Sequence, residues 1–288
     1  MPGLEFSWKT RTNKTVTESK DSRIMKNPAL FFDIGNTNTK IGLGSVSGPL
    51  TAYVLPTDER QTADQFGLTL LEILRHMGLA PGELSGSLAS SVVPGMSHLV
   101  KTACNRFLGL NLLFAPEDLA VPLENRYARP HEVGADRLVG AYAARRLFPD
   151  AGSIISVDFG TATTFDCVEG DAYLGGLICP GVLSSVSALA VGTAKLPRFS
   201  LEVTDKKPSP GRSTSTSLNH GFVFGFAAMT EGLTARLARD MKSPNVVLGT
   251  GGFAAALADV TNCFTAVKPD LLLEGLRLLY YEQPGHEG

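Results

Sequence analysis

The chain has 288 residues, 43% of them hydrophobic and 19% charged, which is room for one large or two medium domains with buried cores. A net charge of −2, with no Arg/Lys cluster interleaved with aromatics, argues against nucleic acid as a partner, and no apolar run reaches the length of a membrane span. The cysteines at 104, 167, 179 and 263 form no Cys-x-x-Cys pair and have no His cluster beside them, so they read as reduced thiols of a cytoplasmic protein rather than as zinc ligands.

Residues 1–27 are polar and Thr/Lys-rich, without the apolar core of a signal peptide, and read as a disordered extension or as sequence upstream of a start at Met25. The β-branched and aromatic run at Phe31-Phe32 then enters Asp33-Ile34-Gly35-Asn36-Thr37-Asn38-Thr39-Lys40. Such a turn is either a plain hairpin or a phosphate cradle, in which glycine admits backbone N–H groups and the short side chains add donors. KIGLGSVSGPLTAYVLPT continues as a meander of strands. DQFGLTLLEILRHMG carries a helical stripe through Phe66, Leu70, Ile73, Leu74 and Met77, closed by Gly78. SLASSVVPG is a short strand, HLVKTACNRFLG a helix and LNLLFA another strand, an alternation that signals an α/β fold. Gly134-Ala135-Asp136-Arg137 opens an Ala-rich helix. Its aspartate is either an ordinary helix cap or a base for a substrate hydroxyl, with the guanidinium holding a carboxylate or phosphate.

The second half begins on the same plan. IISVDFGTATT enters a second Asp-x-Gly turn, in which Asp158 matches Asp33, Gly160 matches Gly35 and Thr161 pairs with Asn36. Two such elements about half a chain apart imply a duplicated domain whose halves each offer one loop to a shared cleft. The aspartates would repel a bare phosphate, and a Mg²⁺ or another cation between them would remove the conflict. TTFDCVEGDAYLGGLICPG gives two more strands around a turn at Glu169-Gly170-Asp171. A long helix follows, with Leu218, Phe222, Phe226, Met229, Leu233 and Leu237 on one face, and VVLGTGGFAAAL reads as strand, glycine turn and helix. Neither a P-loop nor a complete G-x-G-x-x-G is present, so any nucleotide must sit on the paired Asp-x-Gly turns.

DIGNTNTK, GADR, DFGTATT, GGLICPG and GTGG occur in the order found in type III pantothenate kinases, and from about Leu30 onward the chain resembles that family. The resemblance implies two ribonuclease-H-like (actin-like ATPase) α/β domains related by duplication and facing a central cleft, over residues 28–147 and 148–288, in a cytoplasmic homodimer. It implies transfer of the γ-phosphoryl of ATP to pantothenate, giving 4′-phosphopantothenate in the first step of coenzyme A biosynthesis. The alternative within the family is a non-catalytic nucleotide- or pantothenate-binding accessory factor.

Carried over by position, Asp33, Ile34, Gly35, Asn36, Thr37, Asn38, Thr39 and Lys40 would hold the ATP phosphates with their Mg²⁺, joined by Thr161. Asp158 would bind a monovalent cation, K⁺ or NH₄⁺. Asp136 would be the general base, with Gly134, Ala135, Asp136 and Arg137 contacting pantothenate together with Tyr127 and Thr214. Around Thr214 the family's Gly-Lys-Asn-Thr stands here as Gly211-Arg212-Ser213-Thr214, a departure that keeps the threonine and changes its neighbours.

Overall fold

Apolar side chains on both faces of Ala29–Ile34 demand a central strand, and the protein places one there. The structure, a computed structural model, describes residues 26–191, 201, 203 and 205–283; apart from Lys26 and Asn27, the expected extension lies outside these. The first half runs β1 (Ala29–Ile34), β2 (Asn38–Gly44), β3 (Thr51–Pro56), α1 (Ala63–His76), β4 (Gly86–Ser91), α2 (Pro94–Ala103) and β5 (Leu112–Phe114). β1, β2 and β3 form the antiparallel meander, β4 and β5 add parallel to β1, and the sheet order is β3-β2-β1-β4-β5.

The chain continues through β6 (Glu124–Asn125), α3 (Ala135–Leu147), β7 (Ser153–Phe159), β8 (Ala162–Glu169), β9 (Ala172–Pro180), α4 (Val182–Val191), α5 (Thr214–Ala238), β10 (Asn245–Gly251), α6 (Ala254–Ala258), β11 (Ala266–Val267) and α7 (Leu271–Tyr281). The second sheet has the order β11-β10-β7-β8-β9-β6. Taken from β7, the strands stand third, second, first, fourth, fifth with the same directions as in the first sheet, and β6 is an added edge. This is the duplication that the paired turns imply, on the ribonuclease-H-like plan that the family resemblance implies.

Local chemistry accounts for the helix starts. Thr62 Oγ1 accepts from the Gln65 amide at 3.2 Å while the Thr62 amide donates to Gln65 Oε1 at 2.9 Å, a reciprocal cap that opens α1. α2 begins at Pro94 rather than at His98, because a proline's fixed φ suits the first helical position and its missing N–H is no loss there.

Each sheet is covered on its outer face by its own helices: α1 and α2 on the first, α4, α5 and α6 on the second. The inner faces share α3 and α7. Val139 and Tyr142 of α3 pack toward Phe31 and Leu88, whereas Leu138, Ala141, Ala143 and Ala144 pack toward Ile154, Val168 and Leu248 of the second sheet. The alanines keep α3 thin enough for this. α7 crosses it at Gly275, where a Cβ would lie 2.6 Å from the Val139 carbonyl oxygen and 2.9 Å from Ala143 Cβ. α7 thus returns from the end of the chain to the first sheet, where the Tyr281 hydroxyl donates to the Asn27 carbonyl at 2.6 Å.

Candidate active site

The β1–β2 hairpin closes at the pair Ile34 and Thr39, and the β7–β8 hairpin closes at Phe159 and Thr163. In the first, the Gly35 amide donates to the Asn38 carbonyl at 3.1 Å; in the second, the Gly160 amide donates to the Ala162 carbonyl at 3.0 Å. The tips meet. The hydroxyls of Thr37 and Thr161 share a hydrogen bond of 2.9 Å, joining residues 124 positions apart. Asn36, Thr37, Asn38, Gly160 and Thr161 are all exposed, so short donors from both halves line one mouth.

Not every residue of the first turn faces that mouth. Ile34 is buried and can offer only its backbone. Thr39 is also fully buried; its hydroxyl bonds Thr57 at 2.9 Å, and Thr57 in turn donates to the Gly35 carbonyl at 2.7 Å, which stiffens the turn from behind. Lys40 lies opposite Asp33 in the ladder and reaches toward α7, 3.3 Å from the Pro269 carbonyl and 3.8 Å from the Asp270 carboxylate.

Asp33 and Asp158 are half-buried at equivalent ladder positions. Burial pushes Asp33 up to about 7; Lys40 works against this, while Asp158, Asp136 and Asp270 add to it. Burial likewise lifts Asp158 to about 6, opposed by Lys40 and reinforced by Asp136 and Asp166. Gly251, at φ +82°, makes room for the second carboxylate: a Cβ there would stand 2.3 Å from Asp158 Oδ1. The GTGG turn therefore backs Asp158 as it leads from β10 into α6. Among the described residues no three His, Cys, Asp or Glu side chains form a metal cluster. A hard cation at Asp33 or Asp158 would have to complete its shell from hydroxyl, carbonyl, phosphate or water oxygens, donors that the mouth supplies in part.

Asp136 is the second residue of α3, one position inside the helix rather than at its N-cap, which is Gly134. Its Oδ1 accepts from the Arg137 amide at 2.8 Å. Burial raises its pKa, against the pull of that amide and of the Arg137 charge. Arg137 itself turns inward, with Nε donating to Asp166 Oδ1 at 2.7 Å and a side chain only 10% exposed. Tyr127 comes close by: its ring lies 3.2 Å from where a Cβ of Gly175 would be, and Arg137 Nη2 lies 2.9 Å from the corresponding point of Gly176. Gly134, Ala135, Asp136, Arg137 and Tyr127 are thus gathered around the start of α3. Among the described residues no hydrogen bond joins Thr214 to them; it is exposed in the first turn of α5, a helix capped by Ser213 and Thr216.

Comparison with known proteins decides the family. The family model described as type III pantothenate kinase matches residues 29–236. A type III pantothenate kinase of Nitratidesulfovibrio vulgaris (strain DSM 19637 / Miyazaki F) is 65% identical over 88% of this chain and 97% of its own. One from Oleidesulfovibrio alaskensis is 63% identical over 88% and 96%. The chain belongs to the type III pantothenate kinase family. Among solved structures, a protein of Campylobacter jejuni titled a conserved putative Baf family transcriptional activator matches with a TM-score of 0.55 at 19% identity, covering 88% of this chain and 98% of its own. At that identity the likeness speaks for the fold alone.

Two residues at this candidate site escape a reading of the sequence. Asp166 binds Arg137 from 29 positions away, and Asp270 meets Lys40 from the far end of the chain. No local pattern marks either.

Proposed function

We propose that this chain transfers the γ-phosphoryl group of ATP to the primary hydroxyl of pantothenate, the first step of coenzyme A biosynthesis, with Asp136 as general base. The observation that carries this reading is the convergence of the two turns at Thr37 and Thr161, with the Asp136 carboxylate close enough to raise the proton affinity of both Asp33 and Asp158. Asp33 through Thr39 and Thr161 would cradle the phosphates, the exposed side chains by direct donation and the buried ones by holding the backbone. Lys40 would balance charge at the rim. Oδ1 of Asp136 is fixed by the Arg137 amide, which leaves Oδ2 to take the proton from the hydroxyl as it attacks. The raised pKa of this carboxyl makes it a stronger base than a free aspartate.

The donor set also fits the cations that the resemblance implies. Asp33 would hold Mg²⁺ that arrives with ATP, and Asp158 a K⁺ or NH₄⁺; when bound, they neutralise phosphate charge beside the two carboxylates. Tyr127, Gly134, Ala135 and Arg137 would contact pantothenate. Thr214 would reach it from α5. The division into units at 147/148, the homodimer and the cytoplasmic location belong to the same reading; no helix among the described residues is long and apolar enough to cross a membrane. The accessory-factor reading gains nothing from the relatives, which carry the kinase name.

The test is a coupled ADP-release assay with Mg²⁺ and K⁺, comparing pantothenate with a panel of sugars and short-chain acids. Turnover is expected with pantothenate alone. Equal background rates for every acceptor would set the reading aside.

A further inference from the structure

We propose that Asp166, assisted by Tyr173, is a positioning residue that aims the Arg137 guanidinium at the carboxylate of the acceptor substrate. The inference rests on the reading of Arg137 as a pantothenate contact and adds the side chains that make that contact selective.

A guanidinium has five N–H donors in a rigid fork. Here Nε donates to Asp166 Oδ1 at 2.7 Å. Nη2 lies 2.7 Å from the same oxygen but outside hydrogen-bonding geometry, and it is buried without a hydrogen-bond partner among the described residues. Asp166, its side chain 7% exposed, is itself fixed: the Tyr173 hydroxyl donates to Oδ1 at 2.9 Å, and Thr164 Oγ1 stands 3.4 Å from Oδ2. The Tyr173 ring lies 5.9 Å from the guanidinium carbon, a cation–π contact that holds the fork from one side. Gly176 keeps β9 clear of it, since a Cβ there would meet Nη2 at 2.9 Å and the Phe165 carbonyl oxygen at 1.7 Å.

An ion pair this dry is weak as a stabilising device, because desolvation offsets much of the Coulomb gain. Its Nη2, inside the ion pair but without a hydrogen bond of its own, is a liability until an acceptor arrives. A second carboxylate is the acceptor that the fork fits. Pantothenate carries one, at the end remote from the hydroxyl that is phosphorylated. Asp136 and Arg137 are consecutive at the start of α3, so their side chains diverge by about 100° around the helix. One can serve the hydroxyl and the other the far end of the same molecule.

The experiment compares pantothenate with pantothenol, which has a hydroxymethyl group in place of the carboxylate, in the full-length wild type, Asp166→Asn, Tyr173→Phe and Arg137→Lys, with a melting curve for each. The readout is the ratio of kcat/KM for the two acceptors. Asp166→Asn is expected to lower the ratio about 10- to 100-fold, chiefly through KM for pantothenate, as loss of a charge-assisted contact would. Tyr173→Phe should lower it several-fold, and Arg137→Lys at least as much as Asp166→Asn. A purely structural ion pair would depress both acceptors equally and leave the ratio within about twofold of wild type. That result in folded Asp166→Asn, or in Tyr173→Phe should the former not fold, overturns the proposal. An unchanged ratio in Arg137→Lys overturns it as well. A wild type that phosphorylates neither acceptor is a separate outcome: it removes the proposed function and this inference with it.

Discussion

Asp33 and Asp158 stand at the same station of their hairpins and carry the same electrostatic burden. Both are held above the ordinary aspartate value of 3.8, to about 7 and about 6, chiefly by burial. The folded protein therefore keeps protons that the unfolded chain releases. Stability from this source is fully present below 3.8 and is lost as pH rises through about 6 and then about 7. A cation bound to the ionised form restores it. In a buffer without K⁺, NH₄⁺ or divalent ions, the Tm of wild type is expected to fall between pH 5 and 8. Asp158→Asn, which cannot ionise, should fall less and melt about 2–4 °C higher than wild type at pH 8. Adding K⁺ should raise wild-type Tm at pH 8, scarcely at pH 5, and not at all in Asp158→Asn. Parallel melting profiles for the two proteins, with or without K⁺, would contradict the assignment of this carboxylate to a cation.

At the scale of elements, α3 and α7 decide how the halves fit. Gly275 of α7 sits on the Val139 carbonyl of α3, and backbone cannot step aside as a side-chain tip can. Gly275→Ala gains about 1 kcal/mol in helix propensity but forces the helices apart, and overpacking of that kind costs about 1–3 kcal/mol. The clash is expected to win, lowering Tm by a few degrees. Gly140 offers the contrast on the same pair of helices: nothing lies within 4 Å of its Cβ position, so Gly140→Ala should gain most of the propensity term. Thermal melts of the two variants with opposite signs would support the crossing; a rise in both would argue that α7 packs elsewhere. The crossing is not legible in the sequence, because a glycine inside a helix looks the same whether it meets a backbone or open space. The strands and turns are legible. Alternation, β-branching and Asp-x-Gly punctuation act within a few residues, so both hairpins and the β8–β9 turn fall where local chemistry puts them.

For the molecule as a whole, the candidate site is an assembly of three stretches: the turn after β1, the turn after β7 and the first turn of α3. Each stretch announces itself in the sequence by residue type. What joins them does not: the Thr37–Thr161 bond, the Lys40–Asp270 pair and the Arg137–Asp166 pair are all long-range. Motif order supplied the grouping, and packing supplied the partners. In the proposed function this assembly does its chemistry at Asp136. The direct measurement is kcat for pantothenate phosphorylation in Asp136→Asn, taken with its Tm and its affinity for ATP. Asparagine still offers Oδ1 to the Arg137 amide, so the fold and the ATP turns should survive. Loss of the proton acceptor is expected to lower kcat about 10²- to 10⁴-fold. A stable mutant that binds ATP and turns over at near the wild-type rate would show Asp136 to be a helix-end residue and nothing more.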